Sequence, residues 1–308
     1  MKLLVTGGLG FIGSNLVRRL LRERPGWRVV NLDAVTYAAN PANLADVEDD
    51  ERYRFVKGDV ADRALVGRLF EEEAFDAVVH CAAESHVDRS IDDGFGFLRT
   101  NVEGTMTLLE AARAAGRPVR HLQMSTDEVY GSLGPGDPAF TETTPLDPRS
   151  PYSASKAAAD QMALAYHRTH GLDVVVTRCS NNYGPYQHPE KLVPLMITGA
   201  LTGRRLPVYG DGRQRRDWIH VADHCRGVVA ALEHGRPGSV YNFGGDAETE
   251  NLEIVRTIVA LTEADEEWIE FVADRPGHDR RYAVAFERAE SELGWRPERT
   301  LEEGLRAT

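Results

Sequence analysis

The stretch STDEVYG, residues 125–131, places two carboxylates, Asp127 and Glu128, side by side directly after Ser125 and Thr126. The run before it, VRHLQMST (119–126), has the composition of a buried strand, so both acids fall at a strand's carboxyl end. Two close carboxyls resist simultaneous ionisation, so one can stay an acid while the other acts as a base. Further along, YSASK sets Tyr152 and Lys156 four residues apart, on one face of a helix. A nearby ammonium favours phenolate over phenol, which predicts a tyrosine lowered toward a pKa useful for general base work. An acid and a base beside a tyrosine base exceed what hydride transfer alone requires.

Positioning these groups falls to elements that alternate along the first half of the chain. The segments 2–7, 28–33, 53–59, 76–83 and 119–126 read as strands, with amphipathic helical patterns at 12–24, 62–73 and 101–115 between them. Such alternation predicts an α/β fold, a doubly wound parallel sheet with crossover helices and ligands at the carboxyl ends of the strands. A sixth strand, 173–181, follows a helix over 152–169. Pro185, Pro189, Pro194, Pro207 and a scatter of arginines then mark a smaller C-terminal substrate-binding lobe. The expected division is 1–182 for nucleotide binding and 183–308 mainly for substrate, with a helix and its lead-in at 218–235 and a strand at 239–245 returning to the first sheet.

TGGLGFIG follows the first strand and opens a helix, giving Gly7, Gly10 and Gly13. Glycines permit a tight turn and close approach of a pyrophosphate, and the helix start offers unpaired amides to its charge. Asp33 ends the next strand, where a carboxylate can bind ribose hydroxyls and repel the extra phosphate of NADP, so NAD is the expected cofactor. Asp59, after the third strand, is placed to hold the adenine edge.

The formal charge of −12, from 36 basic and 48 acidic residues in 308, disfavours nonspecific attraction to nucleic acid or an anionic membrane. No segment approaches the roughly 20 apolar residues of a membrane span, and the N-terminal apolar run is too short for a signal sequence, so a cytoplasmic protein is expected. Cys81, Cys179 and Cys225 are too widely spaced to suggest a disulfide framework, and the ten histidines show no ligand spacing, so no catalytic metal is expected.

TGGLGFIGSN, NLDAVTYAAN, HCAAESHVDRSI, STDEVYG, PYSASKAAAD, RCSNNYGPYQHPEKLVP, GDGRQRRDWIHVADH and DRPGHDRRY together resemble the extended short-chain dehydrogenase/reductase family. Within it the chain is similar to the 4,6-dehydratase branch that acts on dTDP-glucose. The resemblance implies a Rossmann-type sheet, NAD, a homodimer formed through the helices at 101–115 and 152–169, and a lyase. It assigns Tyr152 and Lys156 to both catalysis and cofactor, Thr126 to the C4 oxygen, Glu128 to removal of the C5 proton and Asp127 to protonation of the departing C6 hydroxyl. It adds Phe11, Ile12, Val60, Ala82, Ala83, Thr100 and Asn182 around the cofactor. Around the sugar nucleotide it places Ser85, Asn181, Lys191, Leu192, Pro207, Tyr209, Arg216, Asn251, Asp274, Arg275, His278 and Tyr282. Arg213, Arg215, Arg280 and Arg281 read as solvated surface. Relatives that decarboxylate UDP-glucuronate or dehydrate GDP-mannose carry Ser in place of Asp127, and CDP-glucose dehydratases carry Lys in place of Glu128. The competing readings are a UDP-glucose 4,6-dehydratase, a sugar-nucleotide 4-epimerase, and, in a different class, a noncatalytic NAD-binding sensor. In relatives the last helix, opened by GWRPERTLEEGLRAT, commonly runs on, so altered packing is expected at that end.

Overall fold

The computed structural model describes residues 1–274 and 279–308. Its strands are β1 (Lys2–Thr6), β2 (Arg28–Asp33), β3 (Tyr53–Lys57), β4 (Ala77–His80), β5 (Arg120–Thr126), β6 (Val174–Cys179), β7 (Asn181–Tyr183), β8 (Leu206–Tyr209), β9 (Arg215–His220), β10 (Ser239–Phe243), β11 (Glu248–Glu250) and β12 (Ile269–Val272). Seven of them form one parallel sheet in the order β10-β6-β5-β4-β1-β2-β3. The order reverses between β1 and β4, and at that switch point the strand ends open a crevice. This is the Rossmann-type α/β arrangement expected from the alternation.

Strands such as β1, β4 and β6 are apolar without alternation because helices cover both faces of the sheet. On one face, Leu16 and Leu20 of the helix Phe11–Glu23 and Val228 and Leu232 of the helix Val221–His234 pack on Leu3, Val5 and Leu122. On the other, Leu108 packs with Leu4, Val30 and Val78, while Leu109 joins Ala163, Val174 and Val176. A separate core gathers Met196, Leu206, Trp218, Ile254 and Ile258 around a three-stranded sheet, β11-β9-β7, and the β12-β8 pair.

Three local readings are revised. The strand expected over 173–181 is two strands, β6 in the main sheet and β7, which leaves it at Ser180 and pairs with β9. Ser180 N–H still bonds the Phe243 carbonyl of β10 at 3.0 Å, so the switch lies just beyond the main sheet's edge contact. The lead-in to the helix after 218 is β9, a buried strand running directly into Val221–His234. The helix over 101–115 begins as a wider π-type segment, Leu98–Glu103, before the regular helix Gly104–Ala114. Periodicity reports which residues face inward, and it is blind to these changes of partner and of turn width. At the C-terminal end, Leu305 of the short helix Leu301–Arg306 is buried in the second core, and Trp295 in the first.

Candidate active site

The glycine turn is built by contacts that leave no room for side chains. Gly7 has φ +70°, and a Cβ there would lie 2.7 Å from the Ala82 backbone; one on Gly13 would lie 2.2 Å from the Gly7 carbonyl oxygen. Gly10 differs, since its Cβ would meet only that same oxygen, at 3.4 Å. The space above Gly10 is therefore open, and the helix Phe11–Glu23 that follows has no side-chain cap on its first amides. An open cradle over uncapped amides suits a pyrophosphate. Asp33 is buried, its two oxygens accepting from Leu9 N (2.9 Å) and Val35 N (2.8 Å). Burial pushes its carboxyl upward while these two amides pull it down. It thus pins the glycine loop to β2 as well as facing the cleft. Asp59 accepts from Ala61 N at 2.8 Å and pairs with Arg99.

A cleft of about 370 Å³ runs from this turn to the end of β5. Its walls carry Gly7, Gly10, Phe11, Ile12 and Gly13, then Asp33, Asp59, Val60, Ala82, Ala83, Ser85 and Thr100. Thr126, Asp127, Glu128, Tyr152, Lys156, Asn181, Asn182 and Lys191 complete them. Every position assigned to the cofactor lines this one cavity, together with the catalytic candidates.

At the chemical end, Thr126 caps the tight turn Asp127–Tyr130: its Oγ1 accepts from Glu128 N at 3.3 Å and donates to Asp127 Oδ1 at 3.3 Å. Asp127 is 2% exposed, and its Oδ2 has no partner among the described residues. Burial first, then the neighbouring Glu128 and Asp217, hold its carboxyl well above the ordinary range, against a smaller opposing pull from Arg216. Burial therefore favours the acid form of Asp127. Tyr152 and Lys156 lie in the first two turns of the helix Pro151–His170, whose start is fixed by a reciprocal Ser150–Ser153 cap.

The expected lowering of the tyrosine is not what the structure shows. Burial and then Glu128 push the Tyr152 phenol well up, with its hydrogen bond to Thr126 acting the other way. Spacing put Lys156 on the same helical face, but its Nζ donates to the Met124 carbonyl at 2.6 Å, and helix geometry fixes neither where a long side chain ends nor how deeply its neighbour is buried. Burial likewise depresses Lys156, opposed chiefly by Asp160 one turn further on.

The remaining substrate candidates divide. Lys191 Nζ reaches the Ser85 carbonyl at 3.4 Å across the cleft mouth. Leu192 opens the helix Leu192–Thr202, and Pro207 and Tyr209 lie on β8. Arg216, on β9, is 4% exposed, donates to the Asp279 carbonyl at 2.7 Å and stacks 4.4 Å over the Tyr282 ring. The Tyr282 hydroxyl bonds the Asp279 carboxylate, and its phenol is pushed up by burial and by Glu128. Asn251 begins the helix Asn251–Leu261 with a buried Oδ1 that has no partner among the described residues, and Asp274 accepts from Gln214 at 3.0 Å. Leu192, Pro207, Tyr209, Arg216, Asn251, Asp274 and Tyr282 do not line the cavity. Arg275 and His278 lie outside the described residues. Arg281 is not solvated surface: its guanidinium is largely buried in a two-point bond to Glu248 and also donates to the Gly134 and Asp137 carbonyls.

Sequence reading missed Asn101. Buried in the π-type segment, it donates to the Glu84 carbonyl (3.0 Å) and Ser155 Oγ (2.8 Å) and accepts from Glu84 N (2.9 Å). It thereby ties the loop after β4 to the helix that carries Tyr152. Its one signal, an asparagine inside an amphipathic helical pattern, reads equally as a solvent-facing residue. It also missed Glu190, which sits between His86 (3.6 Å), His188 (3.7 Å) and Arg89 (3.9 Å) at the cleft mouth.

Comparison with known proteins agrees with this geometry. A dTDP-glucose 4,6-dehydratase from Xanthomonas campestris pv. campestris is 52% identical over 322 residues, covering 99% of this chain and 91% of its own. The crystal structure of DesIV, a dTDP-glucose 4,6-dehydratase from Streptomyces venezuelae with NAD and TYD bound, superposes with a TM-score of 0.95 at 52% identity, covering 99% of this chain and 95% of that one. A UDP-glucose 4-epimerase from Thermotoga maritima with UDP-glucose reaches a TM-score of 0.93 at only 30% identity, covering 100% and 97%. The fold is common to both activities, and the sequence lies nearer the dehydratases. The model of the GDP-mannose 4,6 dehydratase family matches residues 4–308, and the chain belongs to that family.

Proposed function

We propose that this protein is a lyase that converts dTDP-glucose to dTDP-4-keto-6-deoxyglucose, with NAD as a cofactor that ends each cycle as it began. The observation that carries the reading is the buried Asp127 beside Glu128, in the same cleft as Tyr152. The residues present fit the dinucleotide, since Gly10 leaves the space a pyrophosphate needs and Asp33 stands at the end of β2 to accept from a ribose. When bound, NAD supplies the acceptor that holds the C4 hydride until it is returned to C6, and a positive ring charge.

The protein's own groups do the rest. Tyr152, whose phenol burial pushes up in the protein alone, is read as the group that takes the proton of the C4 hydroxyl once the positive ring charge of bound NAD favours the phenolate, with Lys156, anchored by its Nζ on Met124, read as adding to that charge. The C4 ketone acidifies the neighbouring C5 hydrogen, which Glu128 removes, while Asp127 protonates the departing C6 oxygen so that water leaves. Glu128 then returns its proton to C5. An epimerase only rotates and reduces its keto sugar, and has no use for a buried acid beside a base.

The sugar nucleotide is read as reaching from the cleft into the second lobe, where Asn181, Lys191, Arg216, Asn251 and Tyr282 contact it. The Arg216 guanidinium draws the Asp127 carboxyl down by its charge, and arginine forks match phosphate oxygens. We read residues 1–182 with 218–245 as the nucleotide unit and most of the remainder as the sugar lobe, supported by the separate second core. The homodimer is supported by exposed Ile91, Phe95 and Leu98 beside the helix Pro151–His170. No helix among the described residues is long and apolar enough to cross a membrane, in keeping with a cytoplasmic enzyme.

Incubation with NAD and dTDP-glucose, in parallel with UDP-glucose, tests the reading. The expected result is the alkaline absorbance of a 4-keto-6-deoxy sugar with the thymidine substrate preferred. Unchanged sugar or a galactose product would reject it.

A further inference from the structure

The two pairs of candidate catalytic groups stand on different elements. Asp127 and Glu128 belong to the tight turn Asp127–Tyr130 at the end of β5, while Tyr152 and Lys156 belong to the helix Pro151–His170. Elimination needs the acid and the base within reach of the carbons that oxidation at C4 has prepared, and a misplacement of about 1 Å can cost roughly 10²-fold in rate. The turn must therefore be held in register with the helix. It is a single 3₁₀ turn, in which side chains three residues apart eclipse, so Tyr130 lies in line with Asp127. Whatever fixes the Tyr130 ring also fixes the acid.

We propose that Tyr130 is a positioning residue for the elimination step, anchoring the turn that carries Asp127 and Glu128 to β10 through Asn242. The inference rests on the dehydratase reading above. Tyr130 is buried and does not line the cleft. Its hydroxyl donates to Asn242 Oδ1 at 2.8 Å. Its ring stacks on Phe140, with centroids 5.1 Å apart and planes at 26°, and the Arg178 guanidinium lies 4.8 Å from its centroid. Asn242 is itself fixed: its N–H donates to the Glu142 carboxylate at 3.0 Å and its Nδ2 to the Phe140 carbonyl at 3.4 Å. Ser125, Arg178 and Asn242 are register neighbours on β5, β6 and β10, so the tyrosine reaches from the end of β5 across β6 to β10. Arg178 carries the connection on to Asp160, at 2.9 Å, on the helix that bears Tyr152.

Packing alone does not require this hydroxyl. A phenylalanine would fill nearly the same space and stack equally well on Phe140, and a phenol and an amide enclosed together are costly unless they bond each other. What the bond adds is direction. Stacked rings tolerate sliding, whereas a 2.8 Å hydroxyl–amide bond sets how far the ring reaches and along which line. Two further ties of the turn, the Thr126 cap and Asp147 N donating to the Val129 carbonyl at 3.1 Å, hold it to its own strand and to the loop at Asp147. The Tyr130 bond is the one that refers the acid and base to β10, beside the strand whose Arg178 holds the Tyr152 helix.

Rapid mixing of the NAD-loaded enzyme with dTDP-glucose separates the steps. The near-ultraviolet absorbance of reduced nicotinamide rises with oxidation at C4, and its decay follows elimination and return of the hydride to C6. Tyr130→Phe keeps the ring and removes only the hydroxyl, and Asn242→Leu removes its acceptor. Each is expected to slow the decay about tenfold or more, while the rise and the KM for dTDP-glucose stay within about twofold of the wild type. Reduced cofactor then accumulates during turnover. A general loss of structure would instead slow both phases together. The double variant is expected to be no slower than either single one, the mark of one shared contact. Asn242→Ser provides the same comparison should the Leu chain not fold. Rise and decay slowed equally, neither slowed, or effects that multiply in the double variant overturn the positioning role, while keto sugar made by the wild type leaves the dehydratase reading standing. Absence of any keto sugar from the wild type overturns both.

Discussion

Arg178 Nε donates to Asp160 Oδ2 at 2.9 Å, with both side chains almost completely enclosed between β6 and the helix Pro151–His170. Asp160 lies one turn beyond Lys156 on that helix and is the main influence opposing the depression of Lys156 by burial. The pair is therefore a support for the site's positive charge as well as a packing feature, and Arg178 extends it by stacking 4.8 Å from the Tyr130 ring. Asp160→Asn strands a buried guanidinium and is expected to cost about 3–5 kcal/mol. Adding Arg178→Met removes the stranded charge and should recover most of that loss, which urea unfolding of the single and double variants measures.

The tasks proposed for Asp127 and Glu128 are separable. Asp127→Asn is expected to lower dehydration by roughly 10²–10⁴-fold while leaving the C5 base in place. In heavy water the recovered dTDP-glucose should gain deuterium at C5, detected by mass spectrometry. Glu128→Gln should lose both dehydration and exchange.

The glycine turn offers a contrast between fold and ligand. Gly10→Ala meets nothing closer than the Gly7 oxygen at 3.4 Å, so stability should change by less than about 0.5 kcal/mol while NAD affinity falls by more than about tenfold. Gly13→Ala would bring its Cβ within 2.2 Å of the same oxygen and is expected to destabilise the protein itself by about 1–3 kcal/mol. Unfolding curves and a cofactor titration on both variants check the pair.

Burial keeps His121 and His220 neutral down to about 4, and His224 down to about 3. Unfolded histidines protonate near 6.5, so below that pH the unfolded chain binds more protons and stability is lost as pH falls toward 4. Each contributes a slope of roughly 1.4 kcal/mol per pH unit in that window. Asp127 has the opposite sign, because its raised folded value makes the native state hold a proton that the unfolded chain releases above 3.8. His224→Gln should flatten the acid limb of a stability-against-pH series, and Asp127→Asn should steepen it.

Phe95 is 84% exposed, with Ile91 and Leu98 also open, beside the helix that carries Tyr152. In the proposed homodimer this face is buried, so Phe95→Asp is expected to lower the mass of the wild-type dimer to that of a monomer in sedimentation or light scattering, with the NAD cleft intact; a monomeric wild type overturns the homodimer.

The sequence by itself determined the alternation of strands and helices in the first half of the chain, the glycine turn, and which carboxylates and tyrosine were candidates, because each follows from local pattern or from residue types at fixed spacing. It could not determine that β7 deserts the main sheet for β9, or that a π-type turn delivers Asn101 to the Glu84 loop, since strand partners and turn width are settled by contacts between distant segments. The same limit governs the chemistry. Tyr152 and Lys156 share one helical face by spacing, yet only the folded chain decided that Lys156 ends on Met124, that burial favours the acid form of Asp127, and that Thr126 bonds that carboxyl. Charge is set by depth and by neighbours from other strands, and those come into being only when the sheet and its helices close.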